Sequence, residues 1–301
     1  MRIARPLSAI ALILVVLFAS VWGQDDGVIR IETDLVLINA TVTDSAGRYI
    51  ANLKIDDFLL EEEGVRRQIA HFATEETPFA ATILIDASES MKTKLARARV
   101  AASQFVEALR VNDVVAVYGF NSSVEQLQDF SGDRDISPDV WEIEARGTTR
   151  LHDCIYEALE ALANRAEQRR AVVLISDGAD TSSRHTDNDV LTLSSKLGAT
   201  IYTIDISERT PGRDADTLQA SGTLKRLAEK TGGQYMKTLG GQELTKRLSE
   251  IAKELRSQYT LGFYPDKRTG PRWHQLTLKV PARQGVQVRA RQGYFGLKIS
   301  S

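Results

Sequence analysis

Asp86, Ser88 and Ser90 occupy alternate positions in the stretch Ile85-Asp86-Ala87-Ser88-Glu89-Ser90-Met91, directly after a short apolar run. In one tight loop, three alternating oxygen-bearing side chains can be turned toward a single point. Thr149, in Gly147-Thr148-Thr149, and Asp177, in Ser176-Asp177-Gly178, add a further hydroxyl and a further carboxylate. Together these groups form an all-oxygen set, which suits a hard divalent cation: Mg²⁺ first, with Mn²⁺ or Ca²⁺ as alternatives. Hydroxyls coordinate without cancelling charge, and two carboxylates only balance a 2+ ion. An open coordination position would therefore still attract an anion, such as an acidic side chain of a partner. Thr149 is the expected ligand, with its neighbour Thr148 as the alternative. Taken alone, Ser88 and Ser90 read as caps for a helix beginning near Lys92. The addition of Thr149 and Asp177 turns the reading toward a cation.

Other chemistries find little support. His71, His152, His185 and His274 share no spacing, and there is no G-x-S-x-G elbow, P-loop or G-x-G-x-x-G. The expectation is a non-enzyme. A metal-assisted hydrolase would need a general base beside the ion, and none is evident. A structural protein whose ion only braces its loops is the other alternative. The 301-residue chain has a net charge of -2, without a basic block or a basic-aromatic stripe, so no nucleic-acid partner is expected. Cys154 is the single cysteine. It lies among Ile155, Ala158 and Leu159 at helical spacing and reads as a buried small hydrophobe. Asp180 reads as a solvated loop residue, with a place as a further ligand as the alternative, and Arg283, Arg289 and Arg291 as a solvated basic edge. Asn121 either supports the Asp86 loop or merely forms a turn.

A frame must bring the three loops together. From residue 79 short apolar runs alternate with amphipathic segments. Strands are expected at 81–85, 114–120, 171–175 and 200–206, with an antiparallel edge strand at 124–130. Helices are expected at 92–110, 151–166, 191–197, 224–230 and 244–255. In the first of these, Leu95, Ala98, Ala102, Phe105, Val106 and Leu109 share one face. This alternation predicts an α/β fold: a mostly parallel central sheet flanked by helices. In such sheets ligands gather at the carboxyl ends of the strands, where Asp86 and Asp177 fall.

Two β-rich segments flank that unit. Residues 28–75 show alternating positions around Leu35, Leu37, Thr41 and Thr43, with strands expected at 58–60 and 68–72. Residues 257–297 offer strands at 259–264, 276–280 and 286–290. Each segment is too small to bury a core alone, so the two are expected to pack into one module, with residues 79–256 inserted as an independently folding domain. At the N-terminus, Arg2 and Arg5 precede an apolar run from 7 to 20 and small residues near 23. Residues 1–23 therefore read as a secretory signal, which implies an exported, periplasmic or secreted protein. An uncleaved membrane anchor is the alternative.

The three motifs carry a resemblance. Asp86-Ala87-Ser88-Glu89-Ser90 resembles the D-x-S-x-S motif of the von Willebrand factor type A family. Thr149-Arg150-Leu151 resembles that family's threonine loop, and Ile175-Ser176-Asp177-Gly178 its strand-ending aspartate. The resemblance covers about residues 79–256 and implies a Rossmann-like domain with a metal-ion-dependent adhesion site. The flanking β segments look like those of bacterial exported VWFA-related proteins. Two positions depart from the pattern: Glu89 and Thr148 stand where glycine is common. Glu89 either tightens metal binding or repels an acidic partner.

Overall fold

A computed structural model describes residues 35–74, 77–178, 180–207, 215–265 and 272–296. The expected signal, residues 1–23, and the start of the N-terminal β segment lie outside the described residues. No helix among the described residues is long and apolar enough to cross a membrane.

The α/β unit is built on a six-stranded sheet. Its strands are β5 (Phe79–Asp86), β6 (Val114–Phe120), β7 (Val124–Ser131), β8 (Arg169–Ser176), β9 (Thr200–Asp205) and β10 (Tyr235–Lys237), in the order β10-β9-β8-β5-β6-β7. All strand pairs are parallel except β6 with β7, which lies at the edge as expected. Every residue of β5 is buried because β5 is central, with β6 and β8 on its sides and helices on both faces. That is why its sequence, FAATILID, is a continuous apolar run and does not alternate.

Helices α1 (Leu95–Glu107) and α6 (Gln242–Ser257) cover one face. Their buried residues, among them Ala98, Phe105, Leu248 and Ile251, pack on Ile83, Ile85 and Val173. The other face is covered by α3 (Leu151–Ala163), α4 (Asp187–Leu197) and α5 (Ala215–Thr231). A four-residue helix, α2 (Asp139–Glu142), precedes α3. On α3 the buried Leu151, Ile155, Leu159 and Leu162 recur at intervals of three to four residues, which puts them in one stripe toward Leu84 and Leu174. Each such side chain contributes about 1.5–3 kcal/mol when fully buried. Cys154 sits in the same stripe with no exposed surface.

The flanking segments interleave. β1 (Val36–Thr43), β2 (Leu59–Glu62), β3 (Val65–Arg67) and β4 (His71–Ala73) come before the α/β unit. β11 (Tyr259–Phe263), β12 (Trp273–Lys279), β13 (Gln287–Ala290) and β14 (Gly293–Phe295) follow it. They form two four-stranded sheets, β13-β1-β11-β4 and β14-β12-β2-β3, each containing strands from both segments. β1 lies antiparallel to both β11 and β13, with Ala40 opposite Tyr259 and Ala290. Ile38, Val42, Phe58 and Leu60 from the first segment share a core with Leu261, Phe263, Leu276 and Tyr294 from the second. Of the single strand expected at 68–72, only residues 71 and 72 lie in a strand; residues 68–70 link two short strands that belong to different sheets. Residues 65–67 pair with β2 across the Glu63-Gly64 turn, then the chain crosses over and 71–73 pair with β11.

Two further expectations are corrected. Arg291 is only 5% exposed and is not part of a solvated edge; its guanidinium donates to the Leu37 and Ser195 carbonyls, each at 3.0 Å. Arg289 pairs with the buried carboxylate of Glu254 on α6, which also accepts from Tyr202 Oη at 2.7 Å and Thr41 Oγ1 at 3.1 Å. The reason is topological: β13 lies beside β1, and Arg289 on it and Arg291 just after it meet acceptors on the α/β unit. Asp180 is likewise not a free loop carboxylate. Its Oδ1 accepts the Leu151 N–H at 2.9 Å and the Ser183 hydroxyl at 2.6 Å, satisfying a backbone donor at the start of α3.

Candidate functional site

Asp86 is the last residue of β5 and has no exposed surface. The chain then turns sharply, because Asp86 Oδ1 accepts the backbone N–H of Ser88 at 2.8 Å, an Asx turn that closes the loop on itself. A single 3-10 turn, Glu89–Met91, follows before α1 begins. Within it the Ser88 and Ser90 hydroxyl oxygens come to 3.1 Å. Neither serine makes the side-chain cap that the simpler reading required; Ser88 precedes the 3-10 turn without a cap bond, and α1 starts only at Leu95. The start of the helix thus falls three residues later than the sequence suggested.

The second carboxylate approaches from β8. Ser176, the last residue of that strand, donates its hydroxyl to Asp86 Oδ2 at 2.6 Å and accepts the Gly178 N–H at 2.9 Å. Asp177 follows it, and its negative charge is felt at Asp86. Gly178 has φ +98°, and an added Cβ would stand 3.0 Å from Leu224 on α5. The loop after β8 therefore passes close over α5 with a backbone that favours glycine.

Thr149 is 4% exposed, whereas Thr148 is exposed and its hydroxyl lies 3.0 Å from that of Ser182. The Thr149 backbone is fixed from both sides: its N–H donates to Thr181 Oγ1 at 2.9 Å, and its carbonyl accepts the Thr181 N–H at 2.9 Å. The preceding residues are tied to the Asp86 loop, with Arg146 N–H to Ala87 O at 2.9 Å and Glu89 N–H to Gly147 O at 3.2 Å. Gly147 has φ +72°, and a Cβ there would meet Ser122 Oγ at 2.2 Å. Only glycine lets the Thr149 loop pass so close to the end of β6. Asn121 forms the turn after β6, accepting the Ser123 N–H at 3.1 Å; its carbonyl accepts the Arg150 N–H at 3.0 Å. It braces the Thr149 loop and leaves the Asp86 loop alone.

Charge at this edge is concentrated and buried. Burial pushes the Asp86 carboxyl up to about 6, and the neighbouring charge of Asp177 pushes in the same direction, against the hydrogen bonds from Ser176 and Ser88. Lys94 reaches Asp177 with Nζ 3.3 Å from Oδ2. Glu89 is exposed and pairs with Lys92 at 3.6 Å, away from the buried carboxylates. Among the described residues no group of three His, Cys, Asp or Glu is placed to hold a metal, so any ion here must use the hydroxyls. Beside Ala87 a polar depression of about 300 Å³ is lined by Glu125, Asp139, Glu142 and Glu144 together with Arg146.

Comparison with known proteins agrees with this geometry. The family profile for the von Willebrand factor type A domain matches residues 82–179, which contain the Asp86, Thr149 and Asp177 loops. Residues 82–179 form a von Willebrand factor type A domain. Among solved structures, the chain resembles the von Willebrand factor domain of the type V pili tip protein Mfa5 from Porphyromonas gingivalis, at 14% identity and a TM-score of 0.50, over 60% of this chain and 95% of that one. It also resembles the von Willebrand factor type A protein from Catenulispora acidiphila, at 12% identity and a TM-score of 0.49, over 87% and 74% of the two chains. The D319A mutant of the PilB minor pilin from Streptococcus sanguinis gives 15% identity and a TM-score of 0.48, over 60% of this chain. The match spans only 62% of that pilin's length. No curated protein sequence matches the chain. The likeness to the Mfa5 domain, at 14% identity, concerns the fold alone.

Sequence reasoning missed several groups at this edge. Ser176 was visible in the strand-ending motif, but its bond to Asp86 depends on β5 and β8 being neighbours. Lys94 had no signal beyond its place early in an expected helix. Asp153, 2% exposed, accepts the Arg184 and His185 backbone N–H groups and the Arg150 guanidinium, so its carboxyl is held down at about 2 despite burial. It fastens the loop after Asp180 to α3.

Proposed function

We propose that the von Willebrand factor type A domain binds one divalent cation through Asp86, Ser88, Ser90, Thr149 and Asp177, and that the ion joins the chain to an acidic side chain of a protein partner. Mg²⁺ is the expected ion, with Mn²⁺ or Ca²⁺ as alternatives. The reading is non-enzymatic, and the protein acts outside the cytoplasm as an adhesion or scaffold component, in keeping with its expected export signal. One observation carries the proposal: a fully buried carboxylate, within range of a second one, stands beside two serine hydroxyls only 3.1 Å apart. Such a pair is poorly matched to a metal-free interior, since burial alone drives Asp86 toward its neutral form. A 2+ ion removes that penalty, and the hydroxyls offer it oxygens without further charge.

When bound, the ion supplies an electrophilic coordination position open to an incoming carboxylate. The chain's own residues do the rest. The Ser88 N–H and Ser176 hydroxyl orient Asp86, and the Thr149 loop is clamped by Thr181. The four carboxylates around the Ala87 depression favour a partner whose acidic side chain has basic neighbours. Calorimetric titration with Mg²⁺ and Mn²⁺ tests the site. The wild type is expected to bind one ion, Asp86→Ala to bind none, and Asp177→Ala to bind weakly. Unchanged binding in Asp86→Ala removes the assignment. A pull-down of extracytoplasmic proteins with and without EDTA tests the partner; a partner retained equally in both removes the metal-bridged mode of binding.

A further inference from the structure

Lys94 sits where a cation is poorly placed by its own helix. It immediately precedes α1, adopts helical backbone angles and makes no side-chain cap. The free N–H groups of a helix start carry partial positive charge, which disfavours an ammonium there. The Lys94 side chain is nevertheless 13% exposed and folds back onto Asp177, itself 10% exposed. What holds it is negative charge: Asp177 in contact and Asp86 close enough to sense Asp177. The other lysines near this edge are engaged elsewhere, Lys92 with Glu89 and Lys237 with Asp205.

We propose that Lys94 is the internal counter-ion of the metal-free site and competes with the divalent cation for Asp177, so that it sets the cation concentration at which the site loads. This rests on the metal-binding reading above and adds an occupant that the ion must displace. Two carboxylates carry two negative charges, and Lys94 returns one positive charge. A 2+ ion engaging Asp177 places a larger positive charge beside the ammonium, while the helix start repels it from the other side. The flexible four-carbon stem lets the ammonium withdraw into water. Loading thus includes the breaking of the Lys94–Asp177 pair, and the apparent affinity for the ion is lower than the ligand set alone would give. The opposing reading makes Lys94 a positioning residue that holds Asp177 ready for the ion, and it predicts the opposite sign.

The test is calorimetric titration of the full chain with Mg²⁺, and with Mn²⁺ in parallel, for the wild type, Lys94→Met, Lys94→Gln and Lys94→Arg. Met keeps the stem and removes the charge, Gln is a second neutral replacement, and Arg keeps the charge. Both neutral variants are expected to bind Mg²⁺ about tenfold more tightly than the wild type, equivalent to about 1.4 kcal/mol, with Lys94→Arg close to the wild type. In EDTA the neutral variants should melt at a lower temperature than the wild type, because the carboxylates have lost their counter-ion, and they should gain more from added Mg²⁺. Equal or weaker binding in Lys94→Met and Lys94→Gln, with the wild type binding, overturns the competition and leaves the metal site standing. Absence of binding in the wild type and both neutral variants overturns both.

Discussion

Replacing Asp86 by Asn separates the charge of this residue from its shape. In the metal-free protein the Asp86 carboxyl is raised from 3.8 to about 6, first by burial and then by Asp177. A carboxyl whose pKa is raised on folding binds more protons in the native state than in the unfolded one. Stability is therefore fullest below about pH 4 and falls as the pH rises toward 6 and beyond. The shift of roughly two units corresponds to about 3 kcal/mol lost across that window. Asn keeps the acceptor for the Ser88 N–H but deprives the Ser176 hydroxyl of its acceptor, which costs about 1 kcal/mol. In EDTA at pH 7.5, Asp86→Asn should thus be more stable than the wild type by about 2 kcal/mol, or roughly 3 °C in melting temperature for a chain of this size. At pH 4 the order should reverse, by about 1 kcal/mol. Adding Mg²⁺ at pH 7.5 should raise the wild type and leave the variant unmoved. Urea unfolding in EDTA at several pH values between 4 and 8 supplies the measurement. A variant less stable than the wild type at pH 7.5, or one with the same pH slope, would refute the claim that burial of the Asp86 carboxylate costs stability in the metal-free protein.

Three other outcomes follow from the structure. Gly147→Ala should destabilise by about 1–3 kcal/mol and weaken Mg²⁺ binding, with Ser122→Gly recovering part of the loss; strict additivity of the two changes in a double-mutant cycle would show that the close approach of the loops is not the cause. The Cys154 thiol is fully buried and its pKa is pushed well above the usual value, so Ellman's reagent at pH 8 should leave it untouched until urea unfolds the chain, and rapid labelling of native protein would contradict its place on the buried face of α3. Residues 79–256 expressed alone should be less stable than the full chain by about 3–5 kcal/mol, because Arg169 binds the carbonyls of Thr77, Leu255, Thr74 and Gln258, and of these that of Leu255 alone survives the cut; equal unfolding midpoints for fragment and full chain would show that these bonds contribute nothing there.

The sheet was legible because its strands obey a simple constraint. β5, β6, β8 and β9 are covered on both faces, so each carries a mostly apolar stretch at its centre, and such runs stand out in a sequence that is 43% hydrophobic. The Asp86 and Asp177 loops were legible for a related reason: polar oxygens directly after a buried strand must fall at the sheet's carboxyl edge. The short elements were not. β10 and β14 are three residues each, too brief to show a period, and the chain from 65 to 73 pairs with two different sheets in turn. Arg289 and Arg291 were misread because composition cannot distinguish an exposed arginine from one whose guanidinium meets buried acceptors. Asp153, Lys94 and Ser176 act through partners 31, 83 and 90 residues away, a separation at which local pattern carries no signal.

The contacts between the β sheets and the α/β unit explain how these parts can be tied together while the candidate site stays open. Arg169 begins β8 and binds carbonyls just before β5 and around the end of α6. Asn39 donates to Gly198 O at 3.1 Å, and the Phe295 N–H donates to Ser195 Oγ at 3.0 Å, both at the end of α4 just before β9 begins. These ties lie at the amino-terminal edge of the parallel sheet. Asp86, Ser176 and Asp177 lie where β5 and β8 end, at the carboxyl edge. Parallel strands separate the two edges by their own length: eight residues at about 3.3 Å each put them roughly 25 Å apart. The buried arginine and its carbonyls therefore fix the sheet from one end, and these contacts leave the other end, with its Asp86 and Asp177 loops, uncovered. A change at Arg169 should then lower stability without altering the affinity of the loops for an ion, whereas a change at Gly147 should alter both.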